Sequence, residues 1–148
     1  MLKVPPPVWA LVYVLFALVI SWLLDWPKMP GFPLPMLGIV LVSVPWILPV
    51  WAIILFRREG TEVNPTSPTN RKLIAIGPYR FTRNPMYLGL VIVTLGIAVW
   101  VGAWPMFLAP VAVFLTANWI HIPYEEAKMR SQFGAAYDVY VGRVRRWV

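Results

Sequence analysis

Gly77-Pro-Tyr-Arg-Phe-Thr-Arg-Asn-Pro-Met-Tyr-Leu-Gly89 is polar, cationic and turn-rich, and it runs straight into an apolar stretch that ends near Val101. Gly77-Pro78 demands a turn. Asn84-Pro85 ends it, because the residue before proline is biased away from helix while proline suits a first helical turn. A chain this apolar holds few polar groups, and many of them are gathered here. A second group stands at Glu125-Glu126. The expectation is that any chemistry happens where the two meet.

The chain is 148 residues long, which fits one domain spanning 1–148. It is 59% hydrophobic and only 13% charged, with a mean hydropathy of +0.68. A soluble fold of this size cannot hide that much apolar surface, whereas lipid accepts apolar side chains facing outward. Nine Trp suit the interfacial belts of a membrane protein. There is no Cys and one His, which excludes disulfides, thiolate nucleophiles, Cys-ligated metals and multi-His metal sites. No metal site is expected.

Four apolar segments stand out at about 7–24, 34–56, 86–101 and 106–122. A straight span needs about 20 residues, so the last two are short. Only Gly102-Ala103-Trp104-Pro105 separates them, which reads as a tight helical hairpin. Pro45, Pro49 and Pro110 are read as kinks or as local packing irregularity. The run from Val8 to Leu24 is longer than a signal-peptide core and is read as a retained span. The fold class is therefore all-α integral membrane, with about four transmembrane helices.

The basic residues set the orientation. The loop 57–85 holds six (Arg57, Arg58, Arg71, Lys72, Arg80, Arg83) and the tail holds five (Lys128, Arg130, Arg143, Arg145, Arg146) of the thirteen Lys and Arg. By the positive-inside rule both are cytoplasmic. The net charge of +7 thus flanks spans and does not form a nucleic-acid patch. In the tail, Met129, Phe133, Tyr137 and Val141 recur every four residues, predicting an amphipathic cytoplasmic helix over about 124–145. Gly134 and Gly142 weaken it in isolation, and Trp147 reads as an interfacial anchor. Asn64-Pro-Thr-Ser-Pro-Thr-Asn70 reads as a polar flap.

The start of the third span offers unpaired N–H groups and a positive dipole end, a ready site for a carboxylate or phosphate. Arg83 beside it adds a bidentate donor. Tyr79 and Tyr87 supply hydroxyls or ring faces, and Gly89 permits close approach of a helix or ligand. Glu125 and Glu126 read equally as partners for loop arginines and as a grip on a ligand's diol or amine. His121 reads either as a satisfied interfacial side chain or as a group facing an acceptor.

Gly77-x-Tyr79-x-x-x-Arg83-Asn84-Pro85-x-Tyr87-x-Gly89, followed by about 35 residues of hairpin and then Glu125-Glu126, Phe133-Gly134, Tyr137 and Tyr140, resembles the isoprenylcysteine carboxyl methyltransferase and phospholipid methyltransferase superfamily. The resemblance covers roughly residues 71–147. It implies an S-adenosyl-L-methionine-dependent methyltransferase held in the membrane, with S-adenosyl-L-homocysteine as product. It also implies a cofactor site at Arg71, Lys72, Leu73, Ile74, Gly77, Tyr79, Arg83, Asn84, Pro85, Met86, Tyr87, Gly89, Glu125 and Glu126, with Arg83, Asn84 and His121 nearest the chemistry. The family usually has Arg-His-Pro where this chain has Arg83-Asn84-Pro85, which removes any role for a protonated imidazole there. In this it is similar to the short bacterial members, implying the inner membrane. The acceptor implied is lipophilic: a prenylcysteine-like carboxylate, a lipid amine or a small hydrophobic thiol, entering sideways from the bilayer. The partners implied are that acceptor and membrane lipids, with no nucleic acid; the oligomeric state is left open. A small transporter or channel subunit is the competing class, but no charge lies within the four apolar runs. A non-catalytic membrane scaffold is the other.

Overall fold

A computed structural model of the chain describes residues 4–61 and 71–148; the Asn64–Asn70 stretch lies outside them. The described residues are helical, apart from loops and an isolated bridge between Lys28 and Ala103. Helix α1 (Pro6–Leu23) opens on prolines, where missing N–H groups cost nothing. Its buried face is Ala10, Val14, Ala17 and Ser21, spaced at helical period. Next come α2 (Pro35–Ser43), a tight turn at Val44–Trp46 and α3 (Ile47–Glu59), which together form one rod of 25 residues. Helix α4 (Pro85–Val101) has 17 residues, roughly 26 Å of helix.

The last rod runs from Trp104 to Phe133. It comprises a tight turn (Trp104–Phe107), α5 (Leu108–Thr116), a wide π turn (Ala117–His121) and α6 (Ile122–Phe133). Helix α7 (Ala135–Arg143) follows. Three rods are long and apolar enough to cross a membrane, and α4 is a shorter apolar helix. The last rod has 30 residues, about 45 Å, against a hydrocarbon thickness of about 30 Å. Its final third carries Glu125, Glu126, Lys128 and Arg130 and is the charged end of an otherwise apolar rod.

The prolines sit where the helical hydrogen-bond pattern changes. Pro45 is in the tight turn between α2 and α3, and Pro49 and Pro110 are the third residues of α3 and α5, in first turns. Helix α2 packs most extensively along α4, and glycines make that possible. A Cβ on Gly38 would stand 2.6 Å from Trp100 Cβ, and one on Gly96 would stand 2.7 Å from the backbone of Leu41 and Val42. At the hairpin, Gly102 takes φ +74°, and a Cβ there would meet Pro33 at 2.7 Å. Tyr13 and Thr116 hydroxyls meet at 2.7 Å between α1 and α5. The faces turned outward are apolar, with Phe16, Trp22, Met36 and Ile47 exposed.

One sequence expectation needs correction. The tail helix expected over 124–145 is two helices, the first of them continuous with the last rod. They part at Gly134, whose φ +50° and ψ −127° suit glycine alone. The apolar face nevertheless survives the break: Met129, Phe133, Tyr137 and Val141 all pack into one cluster with Ala52, Ile74 and Tyr79. Trp147, expected as an interfacial anchor, folds back on α5. Its ring lies 4.9 Å from that of Phe114, and its Nε1 donates to Asn118 Oδ1 at 3.1 Å. The half-buried Asn118 on the π turn supplies the acceptor that its indole N–H needs.

The glycine contacts give a direct test. Gly96→Ala should destabilise the protein by about 1–3 kcal/mol, because backbone atoms cannot yield to the methyl. Gly142→Ala, which meets nothing within 4 Å, should be neutral or stabilising by up to about 1 kcal/mol. Thermal unfolding in detergent distinguishes them, and equal shifts would contradict the packing described.

Candidate functional site

A crevice of about 1320 Å³, counting its open mouth, lies between α3, the start of α4, α6 and α7. Of the residues expected at the site, Lys72, Leu73, Ile74, Tyr79, Arg83, Asn84, Pro85, Met86, Tyr87, Gly89, Glu125 and Glu126 line it. The two polar clusters, some 40 residues apart in sequence, are thus one place in space. The rest of the wall was not anticipated: Pro6, Pro7, Trp46, Pro49, Phe56, Leu90, Val93, Met129, Tyr137 and Tyr140. Much of it comes from the first two spans, whose apolar residues look like any lipid-facing helix.

The charged floor is built around Glu126. Arg83 Nη2 lies 3.2 Å from its Oε1. Arg146 grips both oxygens, with Nε 3.2 Å from Oε1 and Nη2 2.6 Å from Oε2. The side chains of Arg83 and Glu126 are only 11% and 16% exposed. An isolated charge at such depth is costly, so the pairing is required. Among the described residues, Arg83 Nε and Nη1 are also buried and have no hydrogen-bond partner. Donors of a charged group in that state call for an anionic acceptor, because leaving them unpaired costs the full desolvation penalty.

Glu125 faces the crevice separately. Its Oε1 accepts from the Tyr87 hydroxyl at 2.6 Å. Burial pushes its carboxyl up to about 7; the Tyr87 hydrogen bond and Lys128 pull it down, and Glu126 pushes it up. Burial also raises the Tyr79 hydroxyl well above its ordinary value, helped by Glu125 and Tyr140. That hydroxyl stays protonated, as a donor. The Tyr140 hydroxyl donates to the Tyr79 carbonyl at 2.8 Å, tying α7 to the 77–80 turn.

Asn84 is committed elsewhere. Its Nδ2 donates to the Arg146 carbonyl at 2.9 Å, and its N–H donates to Thr82 Oγ1 at 3.1 Å. The close approach expected at Gly89 is real: a Cβ there would sit 3.1 Å from the Pro45 carbonyl oxygen and from Pro49. Three expected residues do not reach the crevice wall. Arg71 holds Thr61 Oγ1 through its N–H at 3.2 Å. Gly77, at φ +60°, makes the turn and packs on Trp51 and Leu55. His121 is buried behind Tyr87, its ring stacked at 6.0 Å. Arg146 is the polar residue that sequence reasoning missed. It was visible only as one basic tail residue, although Glu126 in so apolar a chain required cationic partners.

Glu125 also makes stability depend on pH. Its folded value of about 7 lies above the ordinary 4.5. Between those values the folded protein keeps a proton that the unfolded chain has released, so stability falls as pH rises through the window and levels off above it. Tm should therefore drop between about pH 5 and about pH 7.5, and Glu125→Gln should flatten the drop. An undiminished slope in that variant would assign the effect to another group.

A Haemophilus influenzae protein described as uncharacterized is 35% identical over 63 residues, covering 43% of this chain and the whole of that protein. The signature of the phospholipid methyltransferase family matches residues 34–136, which include the crevice residues from Trp46 to Glu126 and Met129. With well over half its length matched, this chain belongs to the phospholipid methyltransferase family.

Proposed function

We propose that the chain is an integral-membrane methyltransferase that uses S-adenosylmethionine to methylate a lipophilic acceptor at the cytoplasmic edge of the bilayer. The observation that carries this reading is Arg83: a buried guanidinium held on one side by Glu126, with two unsatisfied donors at a crevice. Those donors suit the carboxylate of the cofactor's amino-acid end. The N–H groups of Met86 and Tyr87, at the start of α4, add a positive dipole end on the same wall. Glu125 and the tyrosine faces suit the positively charged amino and sulfonium groups. The residues present therefore fit this cofactor.

When bound, S-adenosylmethionine supplies an electrophilic methyl group for in-line displacement. The chain's contribution is alignment and exclusion of water. Leu90 and Val93 continue the crevice along α4, and Trp46, Pro49, Pro6 and Pro7 form an apolar wall suited to an acyl or prenyl chain. Glu125, poised near neutrality, is the group able to take a proton from an amine acceptor. A carboxylate or thiolate acceptor needs no such base.

Calorimetry in detergent with S-adenosylhomocysteine tests the reading. The wild-type protein should bind. Arg83→Ala, which removes the two unpaired donors, and Glu126→Ala, which leaves the buried Arg83 guanidinium without its ion-pair partner, should each weaken binding by roughly 2–5 kcal/mol. A folded wild-type protein that does not bind sinks the enzyme reading, and full affinity in both variants sinks the placement of the site. Methyl-labelled cofactor incubated with a membrane lipid extract then identifies the acceptor.

A further inference from the structure

The tail beyond the family-matched residues crosses the Thr82–Asn84 turn and holds it at every point. Arg83 N–H donates to the Arg145 carbonyl at 2.9 Å. The Arg146 carbonyl accepts from Thr82 Oγ1 at 3.1 Å and from Asn84 Nδ2 at 2.9 Å. The residues on both sides of Arg83 are thus fixed by one carbonyl. The Arg146 guanidinium meanwhile fixes the other end of the Arg83 side chain. By gripping both oxygens of Glu126 it sets the plane of that carboxylate, and Oε1 in that plane receives Arg83 Nη2. Arg146 is itself anchored, since its Nη1 lies 3.4 Å from Asn118 Oδ1, which also receives Trp147 Nε1 at 3.1 Å.

Arg146 does not line the crevice. From this geometry we infer that Arg146 is a positioning residue: through Glu126 and the Thr82–Asn84 turn, it orients Arg83 so that Nε and Nη1 face the ligand. The inference rests on the cofactor reading above and adds a residue to it. It also separates two functions of charge. A cation anywhere near Glu126 would neutralise it, but only a planar two-pronged donor fixes its orientation, which is where arginine and lysine differ.

Two measurements on the full-length protein in detergent test this. The first is affinity for S-adenosylhomocysteine alongside Tm without ligand. Arg146→Gln and Arg146→Lys should both lose at least tenfold in affinity, with the lysine variant keeping the wild-type Tm. Adding Glu126→Gln to Arg146→Gln should cost little beyond Glu126→Gln alone, because both act through one contact. Wild-type affinity in the lysine variant, or fully additive losses in the pair, overturns the inference. The second is hydrogen exchange of the ligand-free protein, where Arg146→Lys should speed exchange in peptides covering residues 80–90. If the wild-type protein fails to bind, the cofactor reading falls and exchange alone decides Arg146; unchanged exchange then overturns it.

Discussion

A carboxylate that cannot be left alone organises this molecule. Glu126 lies at the charged end of an apolar rod with its side chain 16% exposed, where an uncompensated charge costs several kcal/mol or more. Two arginines compensate it. The sum of those three groups is one positive charge, and two buried N–H groups of Arg83 carry the excess. Glu125 does not cancel it, because its own burial favours the protonated form up to about pH 7. The cluster therefore carries an excess of positive charge on donors that an anionic acceptor would satisfy.

The helices deliver those groups by departing from regularity at chosen places. The π turn at Ala117–His121 faces Asn118 toward Arg146 and Trp147 while the same rod still brings Glu125 to Tyr87 and Glu126 to Arg83. Such wide turns recur at functional sites for this reason. The break at Gly134 then turns the chain back, so that Tyr137 and Tyr140 close the crevice against Tyr79 and the last residues cross the Thr82–Asn84 turn. The π turn still lies within the last apolar run, while the break at Gly134 lies beyond it. Both serve the polar end of the bundle.

This explains what was legible in the sequence and what was not. Apolar runs report their own boundaries, so the first three segments lie within a few residues of the helices found, whereas the fourth continues as helix to Phe133, past the end of its apolar run. Turn chemistry at Gly77, Asn84-Pro85 and Gly102 is local, and it read correctly. The site's polar half was legible because charge is rare in this chain and therefore conspicuous. The apolar half was not, because Trp46, Pro49 and Phe56 face the crevice by tertiary packing alone, and nothing local separates them from lipid-facing neighbours. Gly134 was noted as a weak point in a helix, but its positive φ depends on where Tyr137 and Tyr140 must go. Arg146 was hidden among five basic tail residues; only the fold shows which of them reaches Glu126.

Asn84 shows how far the tail contacts shape the site. Where the family usually has histidine, this chain has a carboxamide whose Nδ2 is already donated to the Arg146 carbonyl. A side chain so engaged, at 8% exposure, orients the loop and the tail and has no proton to exchange with an acceptor. A carboxamide donates the same hydrogen bond at every physiological pH, whereas an imidazole in that place would change its charge near neutrality. The contact between the loop and the tail is thereby uncoupled from pH, and the carboxyl of the crevice wall that titrates near neutrality is Glu125.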